Sequence, residues 1–170
     1  DHVGWNITYE GGSARPTFPN AKYLIPRADW EHFMQPDVLA LPQNAHVRNQ
    51  VVPLEGLGVM ELIDPGDSIT GEISTIHTPG HTPGHVCITI DSQGQQGAVV
   101  GDVFHMSVQV VHPDWCAGFD LDKPTGQKSR EQLLDQSEES GMLIVAGHFK
   151  VDQHFGRVVR QEGRRFWQVI

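Results

Sequence analysis

From residue 59 onward the chain is a succession of short apolar runs, each cut off by a turn. VMELI (59–63) stops at DPGD (64–67), ITGEISTIH (69–77) at a Pro-Gly pair, and HVCITI (85–90) at DSQGQQG (91–97), which reads as a hairpin-like loop. GAVVGD (97–102) and MLIVAG (142–147) read as buried strands, and RVVR (157–160) with RRFWQVI (164–170) as a final hairpin around Gly163. Runs of this length, rich in β-branched residues and bounded by Gly, Pro and Asp, are strand signals. Proline fixes φ and glycine permits reversal, so the intervening turns are sharp. The strongest helical signal is PTGQKSREQLLDQSEES (124–140), which mixes charges with a small apolar centre as a surface helix does. The chain is thereby confined to a sheet-based α/β architecture, with polar residues at strand ends placing its chemistry on edge loops.

The first third is less patterned. EGGSARPTFPN (10–20) reads as loop, AKYLI (21–25) as a short strand, and RADWEHFM (27–34) as two helical turns stopped near Pro36. Residues 36–58 read as an irregular connection with one short helix. With 170 residues, no linker and no repeat beyond one tandem tetrad, residues 1–170 read as a single domain.

Charge narrows the partners. Twelve Lys and Arg against 21 Asp and Glu give a net charge of −9, which repels a phosphate backbone. No run approaches the ~20 apolar residues of a membrane helix. A small molecule is the remaining partner, with neither nucleic acid nor membrane involved. Cys87 and Cys116 are too few for a disulfide framework, although one disulfide stays open. Read as two separate buried thiols, they suit a reducing compartment, and the start DHVGWN lacks the features of a signal peptide, so the expected location is the cytoplasm.

The tandem tetrad is TPGHTPGH (78–85). Its first histidine, His81, sits in a tight turn at a strand end, whereas His85 begins the next strand, sharing a face with Cys87 and Thr89. His81 therefore reads as a metal ligand and His85 as its helper or a core residue. Three further groups share the strand-end setting: Asp102 after GAVVG, His148 after MLIVAG, and the opening pair Asp1 and His2. An aspartate ending a buried strand needs a metal or a hydrogen-bond partner, though Asp102 also reads as a turn or capping residue and His148 as a hydrogen-bonded histidine. Imidazole and carboxylate without thiolate suit zinc, iron or manganese in a hydrolytic site.

These motifs resemble the metallo-β-lactamase superfamily, and the stretches GDVFHMSVQVVHPDW (101–115) and GRVVR…RRFW resemble its lactonase-like and phosphotriesterase-like branch. Asp1 and His2 match the end of the family's HxHxDH motif, TPGH its third motif, and GD (101–102) and GH (147–148) its bridging aspartate and last histidine. The resemblance implies an α+β sandwich of mixed sheets flanked by helices, N-terminally truncated because the HxH half is absent. It implies a ligand set of Asp1, His2, His81, Asp102 and His148 for one or two zinc ions, with iron or manganese as substitutes. Asp102 is the expected catalytic proton shuttle, and His85 and His105 are the expected supporting or pocket residues. Trp5, Phe104, Met106, Trp115, Phe119 and Phe149 read as pocket walls or as core, while His32, His46, His77, His112 and His154 read as structural.

The implied activity is hydrolysis of a small ester, lactone or phosphotriester by a metal-bound hydroxide, impaired in this chain by the missing ligands. A glyoxalase-II-like thioesterase and a catalytically inactive binding remnant are the alternatives, so whether the chain is an enzyme stays open. A homo-oligomer is an expected way of completing the truncated fold.

Overall fold

Short runs between Gly and Pro punctuation become short elements. The computed structural model describes residues 2–170, which divide into a unit ending at Asp64 and a second, Pro65–Ile170.

In the first unit, β1 (Ile7–Glu10) and β2 (Ser13–Pro16) pair antiparallel. The span 10–20 is thus not all loop: Gly11–Gly12 is a two-residue hairpin turn, and the strands flank it. Next come β3 (Tyr23–Pro26) and α1 (Arg27–Phe33), as expected. The connection expected to be irregular instead carries α2 (Pro36–Leu39), α3 (Ala45–Gln50) and α4 (Val52–Gly56), before β4 (Met60–Ile63) pairs in parallel with β3. Pro36 and Pro53 lie in the first turns of α2 and α4. There proline starts a helix rather than breaking it, because the N–H it lacks has no intrahelical partner. Val47, Val51 and Leu54 recur at helical spacing and are buried.

The second unit holds β5 (Ile73–His77), β6 (Val86–Ser92), β7 (Gln95–Val99), α5 (Lys123–Ser140), β8 (Leu143–Val145), β9 (Phe155–Gln161) and β10 (Arg164–Val169). Among the described residues these strands form one sheet of six in the order β10-β9-β8-β7-β6-β5. Neighbours run antiparallel except β7 and β8, whose parallel pairing needs a crossover, and α5 lies on that crossover. The sheet is therefore mixed and helix-flanked, as expected.

Register and helical period meet at the core. Cys87, Ala98, Ile144 and Val158 from four strands join Leu133 and Leu134 of α5 in one buried cluster. Helix α5 buries Gly126, Ser129, Arg130, Leu133, Leu134 and Ser137, a single stripe at three- and four-residue intervals. Asp122 caps its start by accepting the Thr125 N–H at 3.1 Å, and Gly141 ends it in the left-handed region. The terminal hairpin seats Trp167 edge-on against Phe149, ring centroids 5.0 Å apart.

Three boundaries differ from the sequence reading. Residues 69–72 form a turn, with the Ile69 and Thr70 N–H groups both donating to the Ile73 carbonyl, so β5 starts late. The loop over 91–97 shrinks to Gln93–Gly94. Asp102 does not end a strand: β7 stops at Val99, and Asp102 lies in a 3-10 turn, Gly101–Val103. Both cysteines are free thiols, but only Cys87 is buried and Cys116 is partly exposed.

Candidate metal centre

The Pro-Gly-His loop is fixed from both sides. Its ends are tied by the Thr78 N–H donating to the His85 carbonyl at 2.9 Å. Its middle rests on the first turn of α5. Gly80 has φ +136°, and a Cβ there would lie 2.2 Å from Gly126 Cα, so backbone meets backbone where no side chain fits. The Ser129 hydroxyl donates to the Pro79 carbonyl at 2.7 Å, and the Asp122 N–H donates to the Gly80 carbonyl at 2.8 Å. His81 is thereby presented from an immobilised loop.

His85 serves the neighbouring turn. The Asp102 backbone N–H donates to His85 Nε2 at 3.0 Å, so Nε2 carries the lone pair and the ring proton sits on Nδ1. Nδ1 in turn lies 2.8 Å from Thr78 Oγ1 and 3.1 Å from the Thr78 carbonyl. A Cβ on Gly101, whose φ is +53°, would stand 2.9 Å from His85 Nε2. The two histidines of the tandem tetrad thus have different tasks: His85 holds the backbone of Asp102, and His81 faces its carboxylate.

That carboxylate lies between two imidazoles. His81 Nε2 is 3.2 Å from Asp102 Oδ2, and His148 Nε2 is 3.0 Å from Asp102 Oδ1. On its other side His81 Nδ1 is 3.2 Å from Asp120 Oδ1. The hydrogen bond to Asp102, and next that to Asp120, push the His81 pKa up to about 9, against the opposing effect of burial. Asp120 shows the reverse: burial pushes its carboxyl up, but the bonds to His81 and to the Ala117 N–H outweigh this and hold it below the usual range.

His105 completes the cluster. Its backbone N–H and that of Met106 both donate to the buried Gln109 Oε1, at 2.6 and 3.0 Å, which fixes the main chain under the ring. The ring centroid is 5.3 Å from His81, 4.9 Å from His148 and 4.9 Å from Phe119. Both ring nitrogens are buried without a hydrogen-bond partner among the described residues. Burial lowers the pKa of this imidazole, so it faces the cluster in its neutral form.

The structure therefore brings together His81, His85, Asp102, His105 and His148. Asp1 lies outside the described residues, and His2 is an exposed residue of the first unit. Phe104 and Phe149 are buried in the core rather than lining a pocket. Trp5, Met106, Trp115 and Phe119 are exposed, and Phe119 sets its ring edge-on to His81, centroids 5.8 Å apart. Sequence reading missed Asp120, Gln109 and Arg130. Asp120 and Arg130 stand in no motif: Asp120 is a buried acid in an otherwise exposed loop, and Arg130 lies on the buried stripe of α5.

The chain shares the fold of solved hydrolases of the metallo-β-lactamase type, with its mixed six-stranded sheet and the loops that bear the imidazoles and carboxylates at its edge. The chain is similar to AbOPH, a hydrolase in the beta lactamase superfamily, at 24% identity and TM-score 0.84 over 100% of this chain and 60% of that one. It is also similar to AidC, a dizinc quorum-quenching lactonase, at 20% identity and TM-score 0.74 over 92% of this chain and 57% of that one. A probable metal-dependent hydrolase from Staphylococcus aureus matches at 18% identity and TM-score 0.69 over 91% of this chain and 54% of its own. The chain thus spans less than two thirds of the length of these proteins. No protein-family model matches the chain, and no curated protein does.

Proposed function

We propose that the chain is the metal-holding part of a hydrolase for a small, uncharged ester, lactone or phosphotriester. One observation carries the reading: Asp102 offers one carboxylate oxygen to each of two imidazole Nε2 atoms, at 3.0 and 3.2 Å. Imidazole and carboxylate donors without thiolate fit zinc, and fit iron or manganese as substitutes. His81, charged between two carboxylates, marks a place that favours a cation. The ligand set is His81, Asp102 and His148, and the Asp1–His2 pair joins it on its motif alone.

When bound, a divalent metal supplies Lewis acidity and a water of much reduced pKa. The remaining tasks fall to the chain. Asp102 holds the proton released by the attacking water and returns it to the leaving oxygen. His85 keeps that carboxylate in place from behind. His105 adds an imidazole whose buried ring nitrogens have no hydrogen-bond partner among the described residues. Its ligand atom lies within 4.8 Å of those of His81 and Asp120, and the exposed Phe119 ring offers an apolar wall beside it. The net charge of −9 favours an uncharged substrate over an anion. A lactone is the first choice because AidC was solved with an N-hexanoyl-L-homoserine product.

Within the second unit the pair His148–Asp102 supplies two donors, where a catalytic zinc commonly has three, while His81 lies in a group with His105 and Asp120 whose ligand atoms are all within 4.8 Å of one another. Turnover by this chain is accordingly expected to be low. The test is zinc content per chain by elemental analysis after zinc incubation and desalting, with lactone, ester and thioester hydrolysis and oligomeric state measured on the same sample. Retained zinc that His148→Ala abolishes is the expected result. A wild-type chain that retains no zinc overturns the reading.

A further inference from the structure

Helix α5 carries a charge in the least hospitable place in the fold. Arg130 is 1% exposed, one turn from Leu133 and Leu134 in the core. A buried guanidinium is tolerated only when its donors are met, and an apolar residue of similar volume often serves stability as well. Its partners explain why a cation stands there. Nε donates to the Val103 carbonyl at 2.9 Å, in the residue after Asp102. Nη1 donates to the Pro113 carbonyl and lies 3.6 Å from Cys116 Sγ. Nη2 faces Asp120 Oδ2 at 3.6 Å, an oxygen that also accepts the Ala117 N–H at 3.0 Å. The other Asp120 oxygen faces His81 Nδ1.

We propose that Arg130 is a positioning residue for the metal centre, acting through Asp120 on His81 and through the Val103 carbonyl on the turn that bears Asp102. The inference rests on the metal-holding role given to His81 and Asp102 above. Its logic is geometric. Asp120 is as buried as Arg130, and with the guanidinium beside Oδ2 its Oδ1 is turned toward His81. Asp120 Oδ1 accepts the N–H at His81 Nδ1, which sets the orientation of the ring and keeps Nε2 on the Asp102 side. The planar fork holds two loops at a set separation, which the point charge of a lysine does not reproduce. Without the fork, Asp120 loses its cation, the His81 ring loses its anchor, and the Asp102 turn loses the bond at Val103.

The experiment compares wild type with Arg130→Lys, Asp120→Asn, their double variant, and Leu134→Ala as a control for simple core damage on the same helix. Zinc affinity is measured by competition with a chromophoric chelator, and the His81 ring nitrogens are read by long-range proton–nitrogen NMR of metal-free protein. Loss of a residue that orients a metal-binding histidine commonly lowers affinity about 10–100-fold. Both single variants are expected to fall in that range and to shift the His81 nitrogen signals. The double variant is expected to be no worse than the weaker single, as for members of one chain of contacts. Leu134→Ala is expected to lower the denaturation midpoint while leaving zinc affinity unchanged.

Folded Arg130→Lys with wild-type zinc affinity and unshifted His81 signals overturns the proposal. If Arg130→Lys does not fold, Asp120→Asn, which keeps the side-chain shape, is read in the same two ways. A wild-type chain that binds no zinc refutes the metal-holding reading instead. The His81 signals of the metal-free variants then decide on Arg130 alone: shifted, the positioning role stands, and unshifted, it falls.

Discussion

Gly80→Ala is expected to destabilise the second unit by roughly 2–6 kcal/mol, the sum of strained backbone and overpacking. The same substitution at Gly126, its contact partner, is expected to be neutral or to stabilise by up to about 1 kcal/mol. The asymmetry follows from direction. A Cβ on Gly80 points into α5, 2.2 Å from Gly126 Cα and 2.3 Å from Gly126 N, and neither backbone atom can swing aside. The φ of +136° adds a conformation that alanine resists. Each of these two effects costs about 1–3 kcal/mol. A Cβ on Gly126 points elsewhere and meets Gly80 Cα at 3.6 Å, an ordinary contact, while alanine gains helix propensity. Urea unfolding followed by circular dichroism measures both. With an m-value of about 2 kcal/mol/M, Gly80→Ala lowers the midpoint by about 1–3 M at unchanged slope. A Gly80→Ala variant within about 0.5 kcal/mol of wild type would refute the seating of the Pro-Gly-His loop on the helix. So would a Gly126→Ala variant as damaged as its partner.

Two further expectations concern ionisable groups away from the site. Burial pushes the Cys87 thiol up to about 12, partly offset by its bond to Thr78, so iodoacetamide at pH near 8 is expected to label Cys116 in native protein and Cys87 only after unfolding. Labelling of Cys87 under native conditions, read by peptide mass spectrometry, contradicts this burial. Hydrogen bonds from Arg160 and then Arg165 hold the Glu138 carboxyl down at about 2, against 4.5 for the free group. A folded-state pKa below the unfolded one gives stabilisation that is present above pH 4.5 and lost as pH falls toward 2. Acid titration of stability should therefore be shallower over that window in Glu138→Gln than in wild type, and equal slopes would discount the network.

What was legible in the sequence was whatever has a local cause. The strands of the second unit announce themselves because a β-branched run followed by a Gly turn leaves few other conformations, and α5 because a charged run around a small apolar centre is what a surface helix carries. The strand-end histidines and Asp102 stood out because Gly or Pro beside a ligating residue is a local pattern. Asp120 was invisible for the opposite reason. It is separated from His81 by 39 residues, and only the crossover through Val103–Asp122 brings the two within 3.2 Å. Arg130 looked like one more charge on a surface helix until the fold buried it. The short helices over 36–57 were hidden by their prolines, since a residue that ends one helix and begins another gives the same letter in both cases.

One turn of one helix carries much of the arrangement. Gly126, Ser129 and Arg130 stand at positions i, i+3 and i+4, so they share a face of α5. Gly126 receives the Gly80 backbone, Ser129 donates to Pro79, and Arg130 reaches Val103 and Asp120. The loop of His81, the turn of Asp102 and the segment of Asp120 are thus all referred to the same few ångströms of helix. Loops that approach a site independently would let its groups drift relative to one another, by amounts that matter for groups 3.0–3.2 Å apart. Referring them to one rigid turn makes their separations a property of that turn of the helix. In this fold the precision of the candidate centre is accordingly set beneath the rim, by residues that touch neither metal nor substrate.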